Sequence, residues 1–213
     1  MTADDGLEAR IAAALPAAAA GLDAAAIATL ARYLRLLARW NRAYNLTSVR
    51  DPAEMVTRHL ADSLVALPFV GGGRLLDVGA GAGLPGIPLA IARPATRVTL
   101  LDSQVKKARF LHQVVAELPL PNATVVHARV ETVNPEPSFD TVTCRAFASL
   151  ADFVAAAGRL AAPGGRLVAL KGRAPTDELA ALPAGWHATV TPVTVPGLDA
   201  ERHVVVLARE AVA

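Results

Sequence analysis

The first third of the chain carries apolar residues at helical spacing. Between residues 27 and 40 they recur every three or four positions, which is typical of a helix with one buried face. The residues of this stripe are Ile27, Leu30, Leu34, Leu37 and Trp40. Further on, the segment Asp51-Pro52-x-Glu54 has the residue types that favour an N-cap, the first helical position and a capping acid. We therefore expect helices from residue 7 to about residue 66.

From Arg74 onward, short apolar runs alternate with longer segments of helical spacing. The predicted strands cover residues 74–78, 97–101, 124–127, 139–144 and 166–170. The predicted helices cover residues 84–92, 104–118 and 150–160. Two final apolar runs, residues 186–195 and 203–208, are separated by Pro196-Gly197 with no room for a helix. These two runs must therefore pair as an antiparallel hairpin.

Five β-α repeats that end in a hairpin define the expected fold class. They predict an α/β protein with a mostly parallel, doubly wound, Rossmann-like sheet of seven strands. The sheet would include the antiparallel C-terminal hairpin and follow an N-terminal helical extension. We expect the extension to cover residues 1–70 and the α/β domain residues 71–213, and the length of 213 residues suits one compact unit.

Cysteine use and hydropathy indicate where the protein works. The only cysteine, Cys144, excludes an intramolecular disulfide and fits a reducing cytoplasm. It lies inside an apolar strand, so we expect a small buried side chain rather than a nucleophile. No stretch of about 18 strongly apolar residues is present, so no membrane span is expected. The five histidines show no metal-ligand spacing, and we predict no metal.

Residues 75–88 read L-L-D-V-G-A-G-A-G-L-P-G-I-P, an apolar strand followed by a glycine-rich turn and a helix start. Glycine allows the backbone to approach a ligand closely, and a helix start offers free N–H groups. Gly81, Gly83 and Gly86 match G-x-G-x-x-G, and Asp102 follows Gly83 by 19 residues. This spacing is that of a dinucleotide site, which leaves NAD as one candidate cofactor.

Asp77 favours a different cofactor. It lies two residues before the first glycine, where a carboxylate would repel the pyrophosphate of NAD. S-adenosylmethionine has no phosphate, and its sulfonium and amino groups are compatible with a nearby acid. The pattern D-x-G-x-G-x-G resembles motif I of class I methyltransferases, and the closing hairpin also argues against an all-parallel NAD fold. We therefore expect S-adenosylmethionine, held by a turn that includes Asp77, Gly81 and Gly83, with Asp102 accepting the ribose hydroxyls.

Arginine dominates the basic residues, at eighteen of 21, although the formal net charge is only +2. Arginine suits phosphate recognition, but this bias also fits a neutral compositional origin. Arg145 and Lys171 follow the fourth and fifth predicted strands, so they should lie at the ligand crevice and position the reacting groups. A further arginine face on the long helix could be solvated or could lie along an RNA backbone. The residues of that face are Arg32, Arg35, Arg39 and Arg42.

Seven short strings occur in the order typical of one family. They are W-N-R-A-Y-N-L-T-S-V-R, R-H-L-A-D-S, D-V-G-A-G-A-G-L-P-G-I-P, L-L-D-S, R-A-F-A-S-L, A-L-K-G and E-R-H. In these strings the chain resembles the RsmG (GidB) family of bacterial 16S rRNA guanine-N7 methyltransferases, from about residue 30 to residue 208. The resemblance implies contacts to S-adenosylmethionine at Gly79, Leu84, Val130, Glu131 and Arg145.

The resemblance also implies the substrate, the guanine at position 527 in the 530 loop of 16S rRNA in the small ribosomal subunit. Guanine N7 carries no proton, so no general base is expected. The basic residues expected to hold RNA are Arg42, Arg50, Arg58, Lys171, Arg173 and Arg202. A methyltransferase for another RNA base or a small molecule, an NAD-dependent oxidoreductase and a non-catalytic nucleotide-binding module remain as alternatives.

Overall fold

The computed structural model describes residues 6–134, 136, 138–145 and 147–210. Its N-terminal part consists of helices, as predicted. Helices α1 (Leu7–Ala14) and α2 (Ala24–Tyr44) come first. Asp51 then caps the predicted next helix, because its carboxylate accepts a hydrogen bond of 2.9 Å from the Ala53 N–H. This helical segment consists of α3 (Pro52–Met55), a π-helical turn (Val56–Ala61) and α4 (Asp62–Leu64).

Strands and helices alternate after residue 73. The strands are β1 (Arg74–Val78), β2 (Arg97–Asp102), β3 (Ala123–His127), β4 (Phe139–Cys144), β5 (Ala161–Lys171), β6 (Trp186–Pro192) and β7 (His203–Arg209). The helices are α5 (Gly86–Ala92), α6 (Val105–Glu117), α7 (Leu150–Ala157) and α8 (Thr176–Ala180). Short 3-10 turns cover Ala17–Ala19, Leu67–Phe69, Val130–Thr132 and Gly158–Leu160.

The seven strands form one sheet in the order β3-β2-β1-β4-β5-β7-β6. Strands β1 to β5 pair in parallel, whereas β7 runs antiparallel to both β5 and β6. The predicted fold class and C-terminal hairpin are therefore confirmed. The strand order reverses between β1 and β4, and ligands of such sheets bind beyond the carboxyl ends of the strands at this point.

The β-α repeats are less regular than expected. A 3-10 turn, Val130–Thr132, lies between β3 and β4, where no helix was predicted, and α8 was not predicted either. Strand β5 begins at Ala161 rather than Arg166, because it continues through the Pro163-Gly164-Gly165 segment that was expected to be a turn. The pairing of β4 with β5 shifts register between Phe139 and Thr141, and this irregularity accommodates the extra residues.

Alternate residues of the sheet face two cores. Leu75 and Val168 belong to the core shared with the N-terminal helices, whereas their neighbours Leu76 and Leu167 belong to the core beneath α7. This is the two-residue period of a strand buried on both faces. In the predicted helical stripe, Leu30, Leu34 and Leu37 are fully buried, and Ile27 and Trp40 pack at its edge. The helices before residue 70 thus share a core with the sheet, while the domain division at residue 70 stays a prediction.

Cys144 is buried in β4, as expected for a small apolar side chain. Among the helices of the described residues, none combines the length and apolar character needed to cross a membrane.

Candidate active site

The glycine turn, residues 79–85, is held by the end of the neighbouring strand. The N–H groups of Gly79 and Ala80 donate to the Leu101 carbonyl at 2.8 and 2.9 Å. The Gly81 N–H donates to Oδ2 of Asp102 at 2.8 Å, and Oδ1 of Asp102 accepts from the Gln104 N–H at the same distance. Asp102, predicted as a ribose ligand, therefore also fixes the turn, and each of its oxygens keeps a second lone pair for a ligand.

Gly86 allows close packing within the protein, whereas Gly79 leaves open space. A Cβ on Gly86 would lie 2.6 Å from Oδ2 of Asp77 and would clash with Leu100, so this glycine lets α5 pack closely on the sheet. Gly79 has φ of +70°, and a Cβ there would meet no atom within 4 Å. Gly79 therefore leaves space above the backbone for a ligand, as the sequence indicated.

Asp77 lies beneath the turn. Its side chain is fully buried, and its Oδ2 accepts a hydrogen bond of 2.8 Å from the Gly86 N–H. Its Oδ1 is buried without a hydrogen-bond partner in the protein. Burial raises the pKa of Asp77 to about 7, although the Gly86 hydrogen bond and the positive charge of Arg145 act against this rise. Asp77 thus anchors the start of α5, a role that the sequence did not indicate.

A cavity of about 310 Å³, here called the glycine cavity, opens beside the turn. Four residues predicted to bind the cofactor line it, namely Gly79, Asp102, Val130 and Glu131. The other lining residues were not predicted to bind the cofactor, and they include Ser103, Arg129 and Phe147. Phe147 belongs to the string R-A-F-A-S-L, which was the available signal. The other predicted cofactor residues do not line this cavity. Asp77 lies beneath the turn, and Arg145 lines a second cavity. The backbone of the turn itself includes Gly81, Gly83 and Leu84.

Arg159 fixes the wall of the glycine cavity from behind. Its guanidinium donates to the carbonyl groups of Val133, Val130 and Glu131 at 2.7, 2.8 and 3.1 Å. These bonds hold the turn that carries Val130 and Glu131. Because Arg159 is distant in sequence from that turn, no local pattern indicated this role.

The second cavity, of about 500 Å³, is here called the basic cavity. Four cationic residues predicted from the sequence line it together, namely Arg58, Arg145, Lys171 and Arg202. Three other residues predicted to bind RNA do not line it: Arg42, Arg50 and Arg173 are exposed at the surface. Arg50 donates to the side chain of Asn45 at 3.1 Å.

Carboxylates hold three of the cations in place. Oδ1 of Asp62 lies 2.6 Å from Nε of Arg202, and its Oδ2 lies 3.7 Å from the Arg145 guanidinium. Glu178 accepts from Lys171 Nζ at 2.8 and 3.0 Å and also from the Leu150 N–H at 2.7 Å. Neither acid was predicted from the sequence, because each meets its partner through the fold. Asp62 and Arg202, for example, are 140 residues apart in the chain.

His59 fixes the π-helical turn that carries Arg58. Its Nδ1 lies 2.9 Å from the Arg58 carbonyl, and its Nε2 lies 2.9 Å from the Thr47 hydroxyl. The carbonyl can only accept, so Nδ1 carries the proton and Nε2 accepts from Thr47. Burial lowers the pKa of His59 to about 4, which keeps the ring neutral at physiological pH.

The string W-N-R-A-Y-N-L-T-S-V-R builds the adjoining wall of the basic cavity. The Asn41 amide donates to the Val49 carbonyl at 3.0 Å and accepts from the Thr47 N–H at 2.9 Å. This closes the loop after α2, and Val49 in this loop lines the cavity. The conspicuous asparagine and threonine of the string therefore position the wall.

Helix α2 connects the N-terminal helices to the site. The Tyr33 hydroxyl donates to the Ala82 carbonyl at 2.6 Å, so it fixes the glycine turn from below. On the arginine face of α2, Arg32 donates to the Glu117 carbonyl at 2.7 Å and Arg39 pairs with the Glu117 carboxylate at 3.1 Å. Part of that face thus attaches α2 to α6, and Arg42 remains exposed.

The two cavities lie on either side of the segment that follows β4. Arg145 lines the basic cavity, and Phe147 and Ala148 line the glycine cavity. The glycine cavity lies at the carboxyl ends of β1 and β2, and the basic cavity lies at those of β4 and β5, on the same edge of the sheet. The two cavities therefore receive residues from the same short stretch of chain after β4.

Residues 26–205 match the family model GidB, which describes rRNA small subunit methyltransferase G. The chain belongs to this family. It is 54% identical to the ribosomal RNA small subunit methyltransferase G of Xanthomonas campestris pv. campestris (strain 8004) over 193 residues. The aligned region covers 90% of this chain and 91% of that protein. The protein of the same name from Stenotrophomonas maltophilia (strain K279a) is 54% identical over 189 residues, or 88% of this chain and 89% of its own.

The solved structure described as the DhpI–SAH complex has the same fold as this member of the GidB family. The two superpose with a TM-score of 0.57 at 16% identity, over 85% of this chain and 95% of the other. The family and the class I methyltransferase fold together confirm the predicted choice of S-adenosylmethionine over NAD. The chain is accordingly an rRNA methyltransferase rather than an oxidoreductase or a non-catalytic module.

Proposed function

We propose that this protein transfers the methyl group of S-adenosylmethionine to N7 of a guanine in 16S rRNA, the guanine at position 527 in the 530 loop. The observation that carries this proposal is that Arg145 lines the basic cavity while Phe147, two residues later, lines the glycine cavity. One cavity has the geometry for the methyl donor, and the other has the charge for an RNA acceptor.

The glycine cavity fits the cofactor. Open space above Gly79 accommodates the methionine part, and the remaining lone pairs of Asp102 suit the ribose hydroxyls. Val130 and Glu131, fixed by Arg159, provide backbone and side-chain groups for the adenine. Gly81, Gly83, Leu84 and Asp77 shape the turn. The cofactor, when bound, supplies an electrophilic methyl group on its sulfonium.

The acceptor chemistry suits residues that orient rather than deprotonate. Guanine N7 is an in-plane lone pair with no proton to remove, so alignment of N7 with the methyl group is the main requirement. Arg145 and Lys171 line the basic cavity next to the cofactor site, and ion pairs with Asp62 and Glu178 hold their side chains. We assign these two cations to positioning the target guanine.

The charge of the basic cavity also supports RNA binding. A guanine in folded rRNA must leave its stack to enter a cavity, and cations must hold the nearby phosphates. Arg58 and Arg202 line the cavity, and the exposed Arg42, Arg50 and Arg173 would contact more distant phosphates. The partner would be the small ribosomal subunit, which would locate the protein in the cytoplasm.

Transfer of labelled methyl groups tests this function. The protein is incubated with labelled S-adenosylmethionine and 30S subunits, 70S ribosomes or naked 16S rRNA. We expect transfer to 16S rRNA in at least one of these, reduced by about 10-fold or more in Arg145→Ala and Lys171→Ala at saturating cofactor. Lys107→Ala, a cation on α6 outside both cavities, is the control. Absence of transfer to all three substrates would contradict the function, and full activity of both variants would contradict the site.

A further inference from the structure

The basic cavity contains one nearly buried carboxylate among its cations. Asp62 is 6% exposed and begins α4, directly after the π-helical turn. Its Oδ1 accepts from Nε of Arg202 at 2.6 Å. Its Oδ2 has the Arg145 guanidinium at 3.7 Å, which is an ion pair but too long for a hydrogen bond. A carboxylate offers about four lone-pair positions, so Asp62 retains acceptor capacity on both oxygens.

The chemistry of the acceptor requires such a group. If N7 must face the methyl donor, the base cannot be recognised by the bidentate arginine contact to N7 and O6 that is common for guanine. Recognition must then use O6, which accepts, and the N1–H and N2–H groups, which donate. A cation such as Arg145 or Lys171 suits O6, whereas N1–H and N2–H need an acceptor.

Three carbonyls at the cavity are uncharged acceptors that each already accept a hydrogen bond, and the other acidic side chain of the wall is exposed. The Arg58 carbonyl accepts from His59, the Gly172 carbonyl accepts from His203 at 3.1 Å, and the Glu201 carbonyl accepts from Arg202 at 2.8 Å. Asp199, the second carboxylate of the wall, is exposed on the loop before β7. Only Asp62 among the described side chains of this wall combines a negative charge with near-complete burial.

We propose that Asp62 selects guanine by accepting hydrogen bonds from the N1–H and N2–H groups of the flipped base. Arg202 fixes Oδ1 and so orients the carboxylate. Arg145 donates only a long hydrogen bond of 3.4 Å to the Arg58 carbonyl in this cavity, and it would donate to O6 of the base. Adenine is disfavoured, because its N1 lone pair would face the carboxylate. This role rests on the proposed transfer to guanine in rRNA.

Replacing the target guanine by inosine in ligated 16S rRNA, assembled into 30S subunits, tests the contact. Inosine lacks the N2 amino group but keeps N1–H, O6 and N7. Single-turnover rates with enzyme in excess are measured for both RNAs. The wild-type protein should methylate inosine about 10- to 100-fold more slowly, since hydrogen bonds to charged groups are strong. Asp62→Asn should reduce this ratio to about threefold or less, because the amide accepts fewer and weaker hydrogen bonds.

Two control variants separate base selection from ion pairing. Asp199→Asn changes the exposed carboxylate of the same cavity, and it should keep the wild-type ratio. Arg202→Gln removes the ion-pair partner but keeps the Asp62 carboxylate, and it should also keep an inosine penalty of about 10-fold or more. Bound S-adenosylmethionine, measured by calorimetry, verifies that each variant is folded.

The outcomes are distinct. An unchanged inosine penalty in Asp62→Asn, a wild-type protein that does not discriminate, or an Asp62→Asn variant that binds cofactor but transfers to neither RNA would each overturn the role of Asp62. A wild-type protein that does not methylate the guanine RNA would instead refute the proposed function.

Discussion

Asp77 lies fully buried beneath the glycine turn, and its replacement by asparagine should change how protein stability depends on pH. In Asp77→Asn the side chain would keep nearly the same shape, and its amide oxygen could still accept from the Gly86 N–H. The substitution removes the ionisable carboxyl group of Asp77. The comparison therefore isolates the free energy of ionising a carboxyl group at this position.

The magnitude follows from the pKa. Burial raises the pKa of Asp77 from 3.8 to about 7, so between these pH values the folded protein holds a proton that the unfolded chain has released. Stability from this group is fully present below pH 3.8 and is lost as the pH rises through 7. At about 1.36 kcal/mol for each of about 3 pH units, the loss reaches about 4 kcal/mol.

Urea unfolding of the cofactor-free protein and of Asp77→Asn, at matched ionic strength from pH 5 to pH 8, measures this effect. The free energy of unfolding of the wild-type protein relative to the variant should fall by about 3 kcal/mol over that range, since about 2 pH units of the window lie within it. A relative stability that is the same at pH 5 and pH 8 would refute the protonated, buried carboxyl group.

Three further sets of substitutions test other residues around the two cavities. For His59→Gln the stability difference should change with pH in the opposite direction, because burial lowers the pKa of His59 from 6.5 to about 4. The free energy of urea unfolding of the wild-type protein relative to the variant should fall by about 3 kcal/mol as the pH falls through this window. A constant difference would contradict a neutral buried ring. Gly79→Ala should keep the fold at a cost of about 1–2 kcal/mol, but it should weaken cofactor binding measured by calorimetry. The matched variant Gly86→Ala should lose more stability, because its Cβ would clash with Asp77. Equal effects of the two variants on stability and on cofactor binding would contradict their assigned roles. Tyr33→Phe leaves the Ala82 carbonyl without its donor, so thermal unfolding should show a destabilisation of about 1–3 kcal/mol. An unchanged melting temperature would show that this hydrogen bond does not stabilise the protein.

Much of the architecture could be predicted because it is encoded locally. The short apolar run that includes Leu75 and Leu76 predicted strand β1, and the structure buries these two residues on opposite faces of the sheet. The short spacer at Pro196-Gly197 allowed only a hairpin, and β6 and β7 do pair in this way. The sites of Arg145 and Lys171 followed from one rule, that the ends of parallel strands meet at one edge of a sheet.

The remaining features depend on contacts that no local pattern encodes. In the π-helical turn, His59 forms hydrogen bonds with Thr47 and with the Arg58 carbonyl, and the apolar spacing does not reveal these contacts. Asp62 meets Arg202 only through the folded chain. The sequence located Asp77 at the end of a central strand, but its packing against Gly86 decides that it faces the interior.

Mapping the methyl group that the protein adds to 16S rRNA tests the proposed reaction at the level of a single atom. Borohydride reduction followed by aniline cleaves RNA at N7-methylguanine, so the modified position can be read by primer extension. We expect a single new cleavage at guanine 527 after incubation with S-adenosylmethionine, which is at least about 10-fold weaker with Arg145→Ala or Lys171→Ala after the same short incubation. Label incorporated into the rRNA without cleavage, or with cleavage at another position, would contradict methyl transfer to N7 of this guanine.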